Sequence, residues 1–297
     1  MMNHWDDLRV FLAAARAGSF VQASARLNMD ASTIGRRIAR LESNLKQTLV
    51  VRSPRGLKLT AAGSRLFDAA VKVEAAMEIS ENVNTPGMLH GIVRISVYEG
   101  IGTIIIAPAL PQFVAMHPGL TIELVANAGF LSPATREVDI ALELSPAHSP
   151  RLSSERLIDA RFGLFTSEQY LASCPPIRSV DDLRKQQLVG YIDDLLHPPE
   201  LRYMDDIGTE ITPTFTSTSV RAQYEIIKAG GGIGILPCFI ALGAGPGLRW
   251  LLRDEIKFYR TIWISAHKEV SGTARVKTVH RWLRQLAEDN RHIFCPN

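Results

Sequence analysis

Asp30-Ala-Ser-Thr-Ile-Gly-Arg-Arg-Ile-Ala-Arg-Leu-Glu42 decides how this chain is read. Ile34, Ile38, Leu41 and Leu45 recur at steps of four, three and four, so they share one stripe of a helix. At about 3.6 residues per turn, Ser32, Arg36, Arg40 and Ser43 fall opposite that stripe. One face can bury in a small core. The other carries cations and small polar groups with nothing bulky among them, which suits insertion into a groove. Asp30 is placed to cap the helix N-terminus.

Upstream, Ser19-Phe-Val-Gln22 reads as a capping box that opens a short helix over 20–27, with Ala23 and Leu27 on one side. Asn28-Met-Asp30 is then a three-residue turn. Helix, tight turn and helix with an exposed cationic face form the helix-turn-helix pattern, offering Ser32, Thr33, Arg36, Arg37 and Arg40 to DNA. Taken alone, the arginines would read equally well as a solvated charged face. Residues 5–17 predict a preceding helix with Trp5, Leu8, Phe11, Leu12 and Ala15 as its core stripe, ended by Gly18. Downstream, two short apolar runs flank Ser53-Pro-Arg-Gly56, so residues 48–60 predict a β-hairpin, or wing. Arg52, Arg55 and Lys58 would sit beside a phosphate backbone, positioning the protein without reading sequence. The alternative is an exposed hairpin whose charges only keep it soluble.

Residues 61–84 predict a long helix. Ala62, Leu66, Ala69, Val73, Ala76, Ser80 and Val83 alternate steps of four and three, a narrow seam suited to pairing two subunits. Packing of this helix on its own domain is the competing reading. Thr85-Pro-Gly87 ends it and marks a domain boundary.

Charge supports this division. Residues 1–65 hold eleven Lys/Arg and four Asp/Glu, a net of +7, whereas the remainder holds 22 and 26, a net of −4. A basic head on a mildly acidic body is the electrostatic footprint of a nucleic-acid-binding module joined to a part with another task. The 297 residues allow two or three domains, and 46% hydrophobic content is enough for sizeable cores. No apolar run approaches the ~20 residues of a membrane span, and the polar, acidic start does not read as a signal peptide. Three scattered cysteines, Cys174, Cys238 and Cys295, match no metal pattern and no disulfide framework, which fits a reducing cytoplasm.

Residues 5–66 resemble the winged helix-turn-helix of LysR-type transcriptional regulators. The shared elements are Leu8-x-x-Phe11, Gly18-Ser-Phe20, Ala23-Ser-Ala-x-Leu27, Ile38-x-x-Leu41-Glu42, Arg52 and Leu59-Thr60-x-Ala62-Gly63. The chain departs from the family where Ser-Gln-Pro usually opens the recognition helix; here Asp30-Ala31-Ser32 stands. A family serine is Gly35, and Leu-Phe-x-Arg before the wing is Leu49-Val-Val-Arg52. Base readout is therefore expected to shift to Arg36, Ser32 and Thr33, with Arg bidentate to guanine the natural contact.

In the second half, Gly91–Val97 is a strand, a helix runs to about His117, and Thr121–Val125 is the next strand, a parallel βαβ unit. Further strands are expected at 139–144, near 161–165, at 188–192, around 214–219, before Pro237 and at 261–266, with helices at 167–171, from 180, at 220–229 and at 274–288. Pro108-x-Leu110-x-x-Phe113-x-x-x-His117-Pro118, Asp139-Ile-Ala-Leu and Ala229-Gly-x-Gly-Ile-Gly-x-Leu-Pro237 are similar to the effector-binding domain of the same family. The resemblance implies an α/β chain overall: a winged helix-turn-helix over 1–60, a linker and dimerisation helix over 61–87, and a periplasmic-binding-protein-like domain over 88–297. That domain would have two α/β subdomains, about 90–160 with 266–297, and about 161–265.

Gly100-Ile-Gly102 after a strand, with Glu123 at the next strand, invites a dinucleotide reading, but Ile105 stands where the third glycine belongs. These glycines are instead expected to turn the chain tightly and bring N–H groups toward a small ligand. No nucleophile–base pairing is visible; His117, His148 and His197 lie beside prolines without local partners. Asp193-Asp194 and Asp205-Asp206 around His197 read as acidic surface rather than as a metal site. No cofactor, no metal and no catalytic residue is expected. The ligand cleft is expected between Tyr98, Glu99, Gly100 and Thr103 on one wall and Thr216, Ser217 and Thr218 on the other, although residues 216–219 could equally be a polar loop capping the next helix. Glu99 would repel a carboxylate if it points into the cleft; a cationic or neutral hydroxylated ligand, or a Glu99 pointing away, resolves this. The expectation is thus a cytoplasmic regulator that binds double-stranded DNA, is gated by a small-molecule effector of unstated identity, assembles as a homotetramer and engages no membrane. A solute-binding or enzymatic α/β protein with an incidental basic module is the alternative.

Overall fold

The computed structural model describes residues 3–53, 56–81, 89–126, 133, 138–196, 198–203 and 212–296. The head begins with α1 (Asn3–Ala17), α2 (Phe20–Leu27) and α3 (Ala31–Leu45), followed by an antiparallel hairpin of β1 (Val50–Ser53) and β2 (Gly56–Leu59). Gly18, at φ +64, makes the turn out of α1, and Asn28 in the left-handed region makes the turn out of α2. The expected caps differ in detail. Ser19 accepts from the Val21 N–H at 3.2 Å in place of the reciprocal box with Gln22. Asp30 holds the N-cap backbone position of α3, but its carboxylate makes no capping bond.

Phe11, Leu12, Ala23, Ile34, Ile38 and Leu49 fill the core of the head. Leu45, expected in the α3 stripe, is 45% exposed, because Lys46 turns left-handed and the helix ends there. Pro54 and Arg55 at the wing tip, and the side chains of Trp5 and Arg52, lie outside the described residues.

Helix α4 (Ala61–Glu81) has two faces. Phe67, Ala70 and Val71 are buried, closing the head's core from below, and Ala62 and Leu66 pack partly against it. Ala69 and Val73, also in the expected seam, remain exposed, Val73 at 40%. The competing reading, packing on its own domain, thus holds for one face of this helix, while the other is left exposed. The side chains of Ala76 and Ser80, and Val83, lie outside the described residues.

The body is built on a single sheet. Its strands are β3 (Gly91–Val97), β4 (Leu120–Ala126), β5 (Ile140–Glu143), β6 (Leu152–Ser167), β7 (Leu188–Gly190), β8 (Phe215–Thr216), β9 (Ile233–Pro237), β10 (Leu248–Leu251) and β11 (Phe258–His267). They lie in the order β4-β3-β5-β11-β6-β9-β7-β8, with β10 also on β6. β3 and β4 are parallel and joined by the helix Glu99–Met116, the expected βαβ unit. By length and composition this helix is apolar enough to cross a membrane, contrary to the reading of the sequence. Its apolar face is taken up by the fold: Ile101, Ile105, Ile106 and Phe113 are buried, and Phe113 stacks on Trp282 with ring centroids 4.3 Å apart.

β6 is the largest departure from expectation. It runs 16 residues, where the sequence marked a strand only near 161–165. Its first half pairs with β11, and its second half with β9 and β10, so one strand serves both halves of the sheet. β11 pairs with β6 from Phe258 onward and thus joins the first half earlier than the expected division at 265/266.

Gly63 shows how closely head and linker meet. A Cβ there would fall inside the van der Waals envelope of the Leu49 carbonyl, and overpacking of this kind costs about 1–3 kcal/mol or more. Gly63→Ala is therefore expected to lower stability by at least that amount, read from urea unfolding monitored by circular dichroism. An unchanged midpoint would refute the close approach.

Candidate functional site

The exposed face of α3 carries Ser32 and Arg36 in solvent and Thr33 beside them. The Arg36 guanidinium donates to the Thr33 hydroxyl at 3.2 Å, a weak local bond that leaves it able to reach outward. Arg40 and Arg37 behave differently from expectation. Arg40 Nε donates to Asp7 Oδ2 at 2.8 Å, its Nη2 donates to the other carboxylate oxygen, and Arg37 Nη1 lies 3.7 Å from the same group. Asp7 is buried at 1% exposure on α1, so these arginines neutralise an interior carboxylate and clamp α3 to α1. Sequence periodicity put Arg40 on the outer face correctly; it had no means of seeing Asp7 across the helix pair.

An open groove runs between the starts of α2 and α3 and the wing, lined by Ser19, Phe20, Val21, Ala31, Ser32 and Leu57. Lys58 is exposed on β2. The wing is held in place by backbone and side-chain bonds. Leu57 N–H donates to Gly18 O at 2.7 Å. Glu42 Oε1 accepts from the Leu49 and Val50 N–H groups at 2.6 and 3.1 Å. Thr60 donates to the Thr48 carbonyl at 2.6 Å and accepts from Gly63 N–H at 3.0 Å.

Head, linker and body meet at Glu74 on α4. Its carboxylate accepts from Arg16 Nη1 and Nη2 at 3.0 and 2.7 Å, and from Arg275 Nη2 at 3.0 Å. Arg16 ends α1; Arg275 opens the helix Ala274–Asp289 of the body and is buried. Burial pushes the Glu74 carboxyl up, but the hydrogen bonds and charges of the two arginines outweigh it and hold the group below its usual range. Nearby, Lys72 Nζ lies 3.3 Å from Glu269. Glu269, His267 and Asp68 bring their donor atoms within 4.8 Å of one another, while His267 Nδ1 accepts from the Glu269 N–H. The His197 and Asp205-Asp206 cluster weighed from sequence lies outside the described residues, apart from Asp193 and Asp194.

The body holds a narrow cleft between the two halves of the sheet, with about 40 Å³ of space that a water-sized molecule can enter. Of the expected residues, Tyr98, Glu99, Gly100 and Thr218 line it. Thr103, Thr216 and Ser217 do not. The Thr103 hydroxyl turns back to donate to Glu99 O at 2.7 Å, one helical turn away. Thr216 is exposed in the two-residue strand β8. The Ser217 hydroxyl accepts from the Ser219 N–H at 3.1 Å. Gly100 and Gly102 make no tight turn. Both are helical, and they let the helix lie against its neighbours: a Cβ on Gly100 would strike Ile240, and one on Gly102 would come within 2.5 Å of the Ala126 Cβ.

Glu99 crosses the cleft. Its Oε1 accepts from the Ser219 hydroxyl at 2.9 Å, and its Oε2 lies 3.5 Å from the Arg221 N–H. Ser219 is the N-cap of the helix Val220–Lys228 and accepts from the Ala222 N–H at 3.0 Å. The polar-loop reading therefore holds for Ser219, which the expected cleft did not include. The other walls are apolar and aromatic: Phe162, Tyr191, Tyr203 and Phe239, with Leu144, Leu201 and Ile240 among the rest. These came from five separate stretches with no shared motif, so sequence reading had no signal for them. Burial, reinforced by Glu200, pushes the Tyr98 phenol above the ordinary tyrosine range. Burial does the same for Tyr191 and Tyr203. All three are neutral near pH 7.

A winged helix-turn-helix head with an exposed recognition helix, joined by a long helix to a two-part α/β body with a cleft, is the architecture of a DNA-binding regulator. Residues 5–64 match the model described as "Bacterial regulatory helix-turn-helix protein, lysR family", and residues 86–288 match the "LysR substrate binding domain". The chain belongs to the LysR family of transcriptional regulators. It is 28% identical over 247 residues to the HTH-type transcriptional regulator CrgA of Neisseria meningitidis serogroup C (strain 8013), covering 81% of each chain. It is 25% identical over 284 residues to the Mau operon transcriptional activator of Paracoccus denitrificans, covering 95% of this chain and 96% of that one. Among solved structures, full-length CrgA from Neisseria meningitidis aligns with TM-score 0.57 at 24% identity over 94% of this chain and 97% of its own. A full-length OxyR variant from Pseudomonas aeruginosa aligns with TM-score 0.66 at 17% identity over 95% of this chain and 96% of its own, a likeness of fold.

Ser219 both caps its helix and reaches Glu99 across the cleft. Ser219→Ala is expected to cost about 1 kcal/mol of stability, measured by denaturant unfolding of the full chain. Equal stability of variant and parent would show that the cap contributes nothing.

Proposed function

We propose that the chain reads a specific DNA site with Ser32, Thr33 and Arg36 of α3, and that a small effector in the cleft beside Glu99 sets how its heads are placed on that DNA. The observation that supports this best is the exposed α3 face on a head whose linker carboxylate, Glu74, is shared with the body through Arg275. Arg36 is the natural bidentate partner for guanine, while Arg52, Arg55 and Lys58 of the wing serve the phosphates. With Arg37 and Arg40 engaged by Asp7, they act chiefly by fixing the angle of α3.

The division of labour follows the chain: residues 1–60 bind DNA, 61–87 link and pair subunits, and 88–297 hold the effector. Ala69 and Val73 give α4 a free apolar strip for a second copy, and pairing of bodies in turn gives a dimer of dimers. An effector acts only by binding one arrangement of the two halves more tightly than another. Motion of one half about β6 and β11 would reach Arg275, then Glu74, then Arg16 at the end of α1. The spacing of DNA heads, and hence DNA bend and footprint length, is the output. A protein that works on chromosomal DNA in this way acts in the cytoplasm and needs no enzyme activity.

Two measurements test the DNA side. Arg36→Ala should cost about 1–3 kcal/mol at the cognate site and relax specificity at one base position, in titrations against cognate and random duplexes. Equal losses on both would reduce Arg36 to a phosphate contact. Ala69→Asp with Val73→Asp should lower the oligomeric mass in sedimentation and weaken operator binding while leaving the circular dichroism spectrum intact. Unchanged mass and affinity would refute pairing through α4.

A further inference from the structure

Among the described residues, the cleft wall bears a negative charge and no positive one. Among the described lining residues, Glu99 is the one carboxylate, and no Lys, Arg or His joins it. Its hydrogen bonds come from the neutral Ser219 hydroxyl and the Arg221 backbone, not from a cation. Two neighbouring guanidiniums, those of Arg221 and Arg260, are engaged elsewhere. Arg221 Nη2 donates to Glu225 at 2.6 Å, and the group lies 4.9 Å from the Tyr224 ring centroid. Arg260 Nε donates to the Glu200 carbonyl at 2.9 Å, with its guanidinium over the Phe258 ring. Besides the start of the helix Glu99–Met116, whose first residues line the same pocket, the N-terminus of the helix Val220–Lys228 is where this cleft could receive an anion, through backbone N–H groups and the positive end of the helix. The chain's own Glu99 already sits there.

Facing Glu99 are aromatic rings. Tyr98, Tyr191, Tyr203, Phe162 and Phe239 line the same pocket, with Phe162 and Tyr203 centroids 4.7 Å apart and Tyr191 and Tyr203 5.7 Å apart. Neutral phenol and phenyl faces carry the negative side of the ring quadrupole. A partly desolvated carboxylate beside several such faces is the chemistry that holds an ammonium group.

We propose that this cleft selects a small organic cation, an ammonium on an apolar body, and rejects carboxylates. The proposal rests on the cleft being the effector site. The ammonium lies between Glu99 and the aromatic rings, where charge attraction is little screened. The apolar body lies on Leu144, Leu201 and Ile240. A carboxylate ligand meets Glu99, and like charges at close range are strongly disfavoured.

The test uses full-length protein and three probes of one shape: choline, its uncharged analogue with carbon in place of nitrogen, and the tert-butylacetate anion. Calorimetric titration should show choline binding on the order of tenfold tighter than the uncharged analogue, with the anion weakest. Glu99→Gln keeps an acceptor for Ser219 and removes the charge, so it should erase the preference for choline without changing affinity for the uncharged analogue. The proposal is overturned if the uncharged or anionic probe binds as tightly as choline, if Glu99→Gln keeps the preference, or if no probe binds at millimolar concentration. Thr218→Trp, at an exposed position on the cleft wall, separates this from the reading beneath it. A probe that binds the parent but not this variant leaves the cleft as the ligand site even where the charge rule fails. A probe that binds both equally sits elsewhere, and the cleft reading falls with the proposal.

Discussion

Glu74 has two arginines to satisfy, and they come from opposite ends of the chain. Arg16 closes the first helix of the head, and Arg275 opens a helix of the body more than two hundred residues later. A buried guanidinium such as Arg275 is costly without an anionic partner, and removing one member of such a group leaves the others uncompensated. Acid therefore acts here with a definite sign. Glu74 is held below its usual range, so its contribution is present above the unfolded-state value and is lost as pH falls through the folded one. Around this group α4 divides its faces: Phe67, Ala70 and Val71 inward, Ala69 and Val73 outward. Charged groups thus take part in placing the head on the body.

The body is joined across its middle in another way. β6 gives its first half to β11 and its second half to β9 and β10, so a hinge between the halves must bend within a continuous strand. Above that strand, Glu99 reaches from the helix after β3 to the cap of the helix Val220–Lys228. Hydrogen bonds from the Ser219 hydroxyl and the Arg221 N–H to that carboxylate hold the mouth of the cleft together at this point. Hydrogen bonds to a charged group of this kind contribute on the order of 1.5–3 kcal/mol each at most. The same carboxylate both closes the cleft and sets its charge.

The elements with strong local patterns were legible in the sequence. Phe20–Leu27 and Gly91–Val97 begin and end where capping and alternation placed them. The long helices from Ala31, Ala61, Val220 and Ala274 all start at their expected residues. β6 was not legible, because its opening Leu152-Ser-Ser-Glu-Arg carries polar residues on both faces and is held by pairing with β11 rather than by an apolar stripe. Asp30 shows the limit of capping rules: the backbone position was right and the side-chain bond absent. Gly100 and Gly102 were assigned to turn chemistry, yet they serve packing, since the atoms they make room for belong to Ile240, Ala126 and Val97.

By itself the sequence determined what periodicity, capping and charge can carry: a basic head of three helices and a wing, a long linker helix, an α/β body, and the outward direction of Ser32, Arg36 and Arg40. These follow from spacings of a few residues, where side chains three or four apart share a helix face whatever else the chain does. The tertiary structure alone decided which charges are paired. Arg40 is taken by Asp7, 33 residues away; Glu99 is taken by Ser219, 120 away; Glu74 is taken by Arg275, 201 away. It also gathered five aromatic rings around one cleft from stretches that share no motif. An ion pair or a pocket wall depends on distance in space, and a spacing along the chain that exceeds a few helical turns says nothing about that distance until the fold has closed it.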